Sequence, residues 1–180
     1  MRFQQKEGRQ PAVLKARLVR FVVLVLLPAL LLYGCNQPSV IGVIDQQASI
    51  ALMRFEALPD GISGVVYRRI NDFDAFVATS ETPVLVAFYA PNDPVNTLLI
   101  PKLEQMADDD QDQLQIVWIE AASHEQISSA FGVQALPHFT VVVSATLKRS
   151  LVGFAEEGGK LLEELVEPYL NEEDRYGNTA

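Results

Sequence analysis

Short unbroken apolar runs alternate along most of this chain with longer stretches in which apolar residues return every three or four positions. The clearest run, Val84-Leu85-Val86-Ala87-Phe88-Tyr89, is rich in β-branched and aromatic residues and is stopped by Pro91 and Asn92. Such a run predicts a strand buried on both faces, here the central strand of a parallel arrangement. Immediately after it, Asp93 has the residue type of a helix N-cap, Pro94 suits the first helical position, and Val95, Leu98, Leu99 and Leu103 recur at helical spacing. A helix is therefore expected where the strand ends.

The flanking stretches read the same way. Residues 64–70 suit a first strand and residues 71–80 a first helix capped by Asn71 or Asp72. Residues 114–121 predict a second buried strand, followed from Ser123 by a short helix with Ile127, Ala130, Phe131 and Val133 inward and Gly132 near its end. Residues 138–144 and 149–154 read as an antiparallel pair across a turn at 145–148. Residues 156–170 form a closing amphipathic helix with Leu161, Leu162, Leu165, Val166 and Tyr169 on its inner face. Three consecutive acids, Asp108 to Asp110, would oppose a helix dipole at a C-terminal end, so a surface turn is expected there. The order βαβαβαββα predicts an α/β domain over residues 62–170, with about five strands in a mixed sheet flanked by helices.

Two segments precede that domain. Residues 36–44 lack a period and read as a tether, about 30 Å long if fully extended. From Asp45 onward, Ala48, Ala51, Leu52, Phe55 and Leu58 fall close to one helical stripe that Pro59-Asp60-Gly61 stops. Residues 35–61 are thus expected as tether and N-terminal helix, packed on the domain, although a partner-docking helix would show the same pattern. Residues 171–180 are polar and expected to fray.

Charge changes the picture at the front. Arg2, Lys6, Arg9, Lys15, Arg17 and Arg20 precede a charge-free run from residue 21 to 34, the pattern of a signal peptide over residues 1–34. The run ends in Leu32-Tyr33-Gly34-Cys35, which resembles the bacterial lipobox, whose cysteine is lipid-modified and becomes the new N-terminus. Its 14 residues span only about 21 Å as a helix, short of a hydrocarbon core of about 30 Å, so an uncleaved anchor is the weaker reading. The resemblance implies a protein held on the envelope membrane by lipid on Cys35, facing the periplasm; Asn36 in place of an aspartate slightly favours the outer over the inner membrane. Cleavage would remove six of the 14 basic residues and one of the 23 acidic ones, leaving a mature part near −14. That balance argues against nucleic acid and against electrostatic docking on anionic lipid. Cys35 is also the only cysteine in the sequence, so no disulfide can form within one chain.

The run from Pro83 to Met106 resembles the active-site segment of the thioredoxin family, a strand ending in an aromatic pair and Ala, then Trp-Cys-Gly-Pro-Cys opening a helix with an internal Pro. Phe88-Tyr89-Ala90 and Pro101 match that pattern, whereas the two cysteine positions fall on Asp93 and Asn96, the tryptophan on Asn92 and the buried acid on Ala87. A second stretch, Phe131-Gly132-Val133-Gln134-Ala135-Leu136-Pro137, resembles the family's helix end and cis-proline loop in the same register. The resemblance implies a thioredoxin fold without dithiol chemistry, since Asp93 cannot exchange disulfides and is accounted for as a helix cap. It also implies that Leu136, before a cis Pro137, offers its backbone to an extended peptide, with Asn92 and His138 on the rim. Asn96 has no catalytic use and would sit at an exposed first-turn position.

No catalytic residue, cofactor or metal is implied. His138 would lie near Asp93, but two ligands do not define a metal site, and His124 beside Ser123 reads as a surface residue. No Ser-His-Asp elbow, glycine-rich phosphate loop or paired metal motif occurs. Three readings follow: a non-enzymatic module binding a peptide or protein in the bacterial envelope, an oxidoreductase-related protein acting through Cys35 or a partner's thiol, and a structural adaptor docked through the helix expected at residues 45–58. A fold alone does not choose among them.

Overall fold

The computed structural model describes residues 39–170 apart from residues 60, 156 and 157, and Ser39 opens one compact unit. The expected signal segment, Cys35 and residues 171–180 therefore lie outside the described residues. Among the described residues seven strands form one mixed sheet: β1 (Ile41–Ile44), β2 (Ile50–Ala57), β3 (Ser63–Ile70), β4 (Val84–Tyr89), β5 (Gln115–Glu120), β6 (His138–Val143) and β7 (Thr146–Val152). Four helices accompany them: α1 (Phe73–Thr79), α2 (Asn96–Asp109), α3 (Glu125–Ala130) and α4 (Gly158–Leu170). The strand order is β1-β3-β2-β5-β4-β6-β7, and β4 pairs with β5 in parallel.

The run at residues 84–89 lies at the core, as its composition predicts: Val84 to Phe88 are all buried between β5 and β6. Alternation along the strand sends its side chains to opposite faces. Leu85 and Ala87 join Leu99, Leu103, Met106, Leu162, Leu165 and Val166 under α2 and α4, whereas Val84, Val86 and Phe88 join Phe73 and Phe76 of α1. Ile127 and Phe131, from α3 and its C-cap, pack against that second cluster. Burying the side chains of these two layers, at roughly 1.5–3 kcal/mol for each large one, is what holds the helices to the sheet.

The helix expected at residues 45–58 is a strand. Ile50 to Met53 are all buried because β2 runs between β3 and β5, so both of its faces are covered and both backbone edges are paired. A strand buried on both faces is apolar at nearly every position and can mimic a helical stripe by chance, especially when built from the helix formers Ala, Leu, Met and Glu. The expected tether likewise ends in β1, which pairs with β3 through Ile41 opposite Ile70. These two strands raise the sheet from about five strands to seven. They also remove the helix on which the adaptor reading rested.

Smaller differences follow from local chemistry. Of the two candidate caps for α1, Asp72 acts, accepting from the Ala75 amide at 2.9 Å, while Asn71 donates to the Ser39 carbonyl at 2.7 Å. The acidic run does not form a turn by itself: Asp108 and Asp109 complete α2, and Asp110 is its C-cap. Burial, Asp109 and Glu163 together push the Asp110 carboxyl above its ordinary value. The β6–β7 turn is tighter than expected, with only Ser144 and Ala145 between the strands, at φ 49° and 57°. Both left-handed angles match a type I′ hairpin, whose twist suits antiparallel strands. In α4, Leu162, Leu165 and Val166 face inward as expected, but Leu161 is exposed.

Candidate functional site

The end of β4, the loop after it and the first turns of α2 carry the residues that the first signature singled out. The N-cap of α2 is Val95, without a side-chain cap bond, and not Asp93 as expected; Asp93 closes the turn before the helix, its Oδ1 accepting from the Val95 amide at 3.0 Å and its carbonyl from the Asn96 amide at 3.1 Å. Thr97 and Leu98 bond three residues back, to Pro94 and Val95, so the chain enters through a tight 3₁₀-type turn before the α-helix proper begins at Asn96. Pro94 fits there because it has no amide to leave unpaired.

Asn96 is buried, not exposed as the sequence suggested. Its Nδ2 donates to the Ala90 carbonyl at 2.8 Å and reaches the Pro91 carbonyl at 3.4 Å, strapping the end of β4 to the first turn of α2. Both partners are carbonyl oxygens, which orients the amide and leaves Oδ1 buried without a partner. Beneath the loop, Ala87 is fully buried among apolar neighbours. Tyr89, the last residue of β4, stacks on Trp118 of β5 at 3.8 Å between ring centroids, a contact that sequence reasoning missed although both residues stand out as strand aromatics.

Across from this loop, the Leu136–Pro137 bond is cis, and the Pro137 carbonyl accepts from Gly153 at 2.8 Å. Gly132, at φ 69°, ends the preceding helix through a bond from the Val133 amide to the Ser128 carbonyl, a Schellman-type closure. β6 begins at His138, opposite Phe88, so the cis-proline loop and the β4–α2 loop occupy the same end of the sheet. Leu136 is half-buried, and among the described residues no hydrogen bond engages its backbone.

His138 does not stand on the rim. It is buried, its Nε2 lies 3.1 Å from the Thr140 hydroxyl, which in turn pairs with Ser150 at 3.0 Å, and its ring meets Phe88 edge-on. Burial holds its pKa below the ordinary histidine value. Neither a hydrogen bond nor an ion pair joins it to Asp93, and no group of three or more His, Cys, Asp or Glu side chains among the described residues could hold a metal. His124 is half-buried instead of free on the surface, and pairs with Ser49 at 3.0 Å.

A family model described as Thioredoxin matches residues 64–167. The chain belongs to the thioredoxin family. Thioredoxin of Bacillus subtilis is 30% identical over 92 residues, covering 51% of this chain and 86% of that protein. Thioredoxin Y of rice chloroplasts is 31% identical over 71 residues, 39% of this chain and 42% of that one, and the maize M-type thioredoxin is matched over 56% of its length. The chain thus spans about half the length of these two plant relatives. Among solved structures, a mutant thioredoxin from Halobacterium salinarum NRC-1 aligns with a TM-score of 0.49 at 23% identity, over 56% of this chain and 84% of that one.

Within this thioredoxin domain, the register read from the sequence puts Asp93 and Asn96 at the family's cysteine positions, and each has a hydrogen-bonding role there. One closes the turn before α2 and the other straps the loop, so the turn is held by two polar side chains. The cis bond before Pro137 agrees with the second signature.

Proposed function

We propose that this protein is a lipid-anchored thioredoxin-like binding module of the bacterial envelope that receives an extended peptide without dithiol chemistry. The observation that carries the reading is the unpaired Leu136 backbone beside a β4–α2 loop that Asp93 and Asn96 brace without a cysteine. A free amide and carbonyl two residues before β6 begins can accept one more extended segment by backbone pairing, which needs no thiol. The exposed residues flanking that edge are Asn92 on one side and Gln134 and Ala135 on the other. Complexes formed this way are reversible, because no mixed disulfide traps them.

Two measurements test the proposal. A Cys35→Ser protein is expected to show no reduction of insulin, and sustained turnover in that protein would rule out the redox-inactive reading. A photoreactive residue at Asn92 or Ala135, in envelope preparations, is expected to capture a discrete partner that the same probe at Lys148, in β7 past the turn at the other end of β6, does not. Equal capture at all three positions would show that the loop is not a binding surface.

A further inference from the structure

On the opposite flank of the β4–α2 loop from Leu136 lies a hollow of about 360 Å³ whose walls include Tyr67, Tyr89, Trp118, Asn96 and Glu104. Its chemistry is one-sided. Three aromatic rings supply π faces and apolar surface, Glu104 supplies a carboxylate, and Asn96 Oδ1 is a buried acceptor with no partner. The Tyr67 hydroxyl donates to Glu104 at 2.8 Å, which aligns that carboxylate beside the hollow. The remaining lining, with Gln46, Gln47 and Ile100 the other large side chains, contains no lysine or arginine among the described residues. Burial foremost, and then nearby carboxylates, Glu104 for Tyr67 and Glu120 for Tyr89, raise the pKa of both tyrosines.

The two acceptors stand on one stripe of α2. Asn96, Ile100 and Glu104 are four residues apart in succession, so the outer two Cα atoms are separated by about 12 Å along the helix. Because Asn96 Oδ1 is itself buried, the acceptor that a ligand can reach on this stripe is Glu104. A planar cation satisfies the other features, because guanidinium stacks on aromatic faces and donates a paired hydrogen bond to a carboxylate. We propose that this hollow binds an arginine residue laid along α2, its guanidinium between Glu104 and the aromatic wall. The site is separate from the Leu136 edge and stands whether or not a peptide pairs there.

Trp118 is the sole tryptophan in the sequence, so its emission reports on the hollow directly. Detergent-solubilised full-length protein is titrated with N-acetyl-arginine amide and, in parallel, with the neutral isostere N-acetyl-citrulline amide, by fluorescence and by calorimetry. The arginine compound is expected to bind saturably, at least tenfold more tightly than the citrulline compound. Glu104→Gln is expected to abolish that preference, whereas Glu167→Gln leaves it intact. Equal binding of the two compounds, no saturable heat with either, or an unchanged preference in a folded Glu104→Gln protein would each overturn the assignment. The comparison of the two ligands on the unaltered protein decides the matter even if the variant does not fold.

Discussion

Replacing Asn96 by Asp tests what the strap between β4 and α2 contributes, since the substitution keeps the shape, removes the donor and puts an ionisable carboxyl in its place. In the wild type, Nδ2 bonds to Ala90 at 2.8 Å with a longer reach to Pro91, inside a residue only 8% exposed. Losing that bond forfeits about 1 kcal/mol. An ionised carboxylate facing two carbonyl oxygens adds the cost of an unpaired buried charge, about 3–5 kcal/mol, against which the positive end of α2 returns up to about 2 kcal/mol. The expected net loss is therefore about 2–6 kcal/mol at neutral pH. Acid should relieve it, because the protonated carboxyl can donate to Ala90 in the amide's place. The folded-state pKa of the new group is raised above its unfolded value, so the deficit relative to wild type is smallest below about pH 4 and grows as pH rises through the folded value. Urea unfolding of both proteins, each with Cys35→Ser, followed by Trp118 emission at pH 4 and pH 7, measures the difference. A deficit under about 1 kcal/mol at pH 7, or one that does not shrink at pH 4, would show that the amide donor does not hold the loop.

Asp110→Asn is expected to stabilise the domain by about 0.3–1 kcal/mol at pH 7, since a raised carboxyl at the C-terminal end of α2 opposes the helix dipole. The gain should fade on acidification, as Asp110 takes up its proton and wild-type stability recovers. His138, buried with a lowered pKa, stabilises the fold above about pH 6.5 and loses that contribution as pH falls through its lower folded value. A His138→Gln protein should therefore show a flatter stability profile between pH 7 and 5 by chemical denaturation, and an unchanged slope would contradict the assignment. Ala145→Gly, at φ 57° in the hairpin turn, should raise the unfolding midpoint, because left-handed backbone costs a non-glycine residue roughly 1–2 kcal/mol, part of which glycine's unfolded-state entropy takes back. No rise in urea midpoint would show that the turn tolerates alanine without strain.

Much of this thioredoxin domain was legible one residue at a time. Residues 84–89 read as an internal strand, Asp93 and Pro94 as the approach to a helix, and the Leu136–Pro137 register followed from its likeness to the family, because local propensity, capping and burial there point the same way. Tertiary structure decided the places where they did not. Residues 50–57 carry helix-forming side chains on a near-helical stripe, yet become a strand because β3 and β5 offer hydrogen-bonding edges on both sides, and no short-range pattern records those partners. Asn96 and His138 looked like exposed polar residues beside a loop, and both are buried because the end of the sheet is closed over them by the first turn of α2 and by the pairing of β6 with β4 and β7. The hollow lined by Tyr67, Tyr89, Trp118 and Glu104 is assembled from three strands and a helix far apart in the chain. Composition alone could supply its aromatic rings and its carboxylate, but only the packing of α2 across the sheet turns them to face one another.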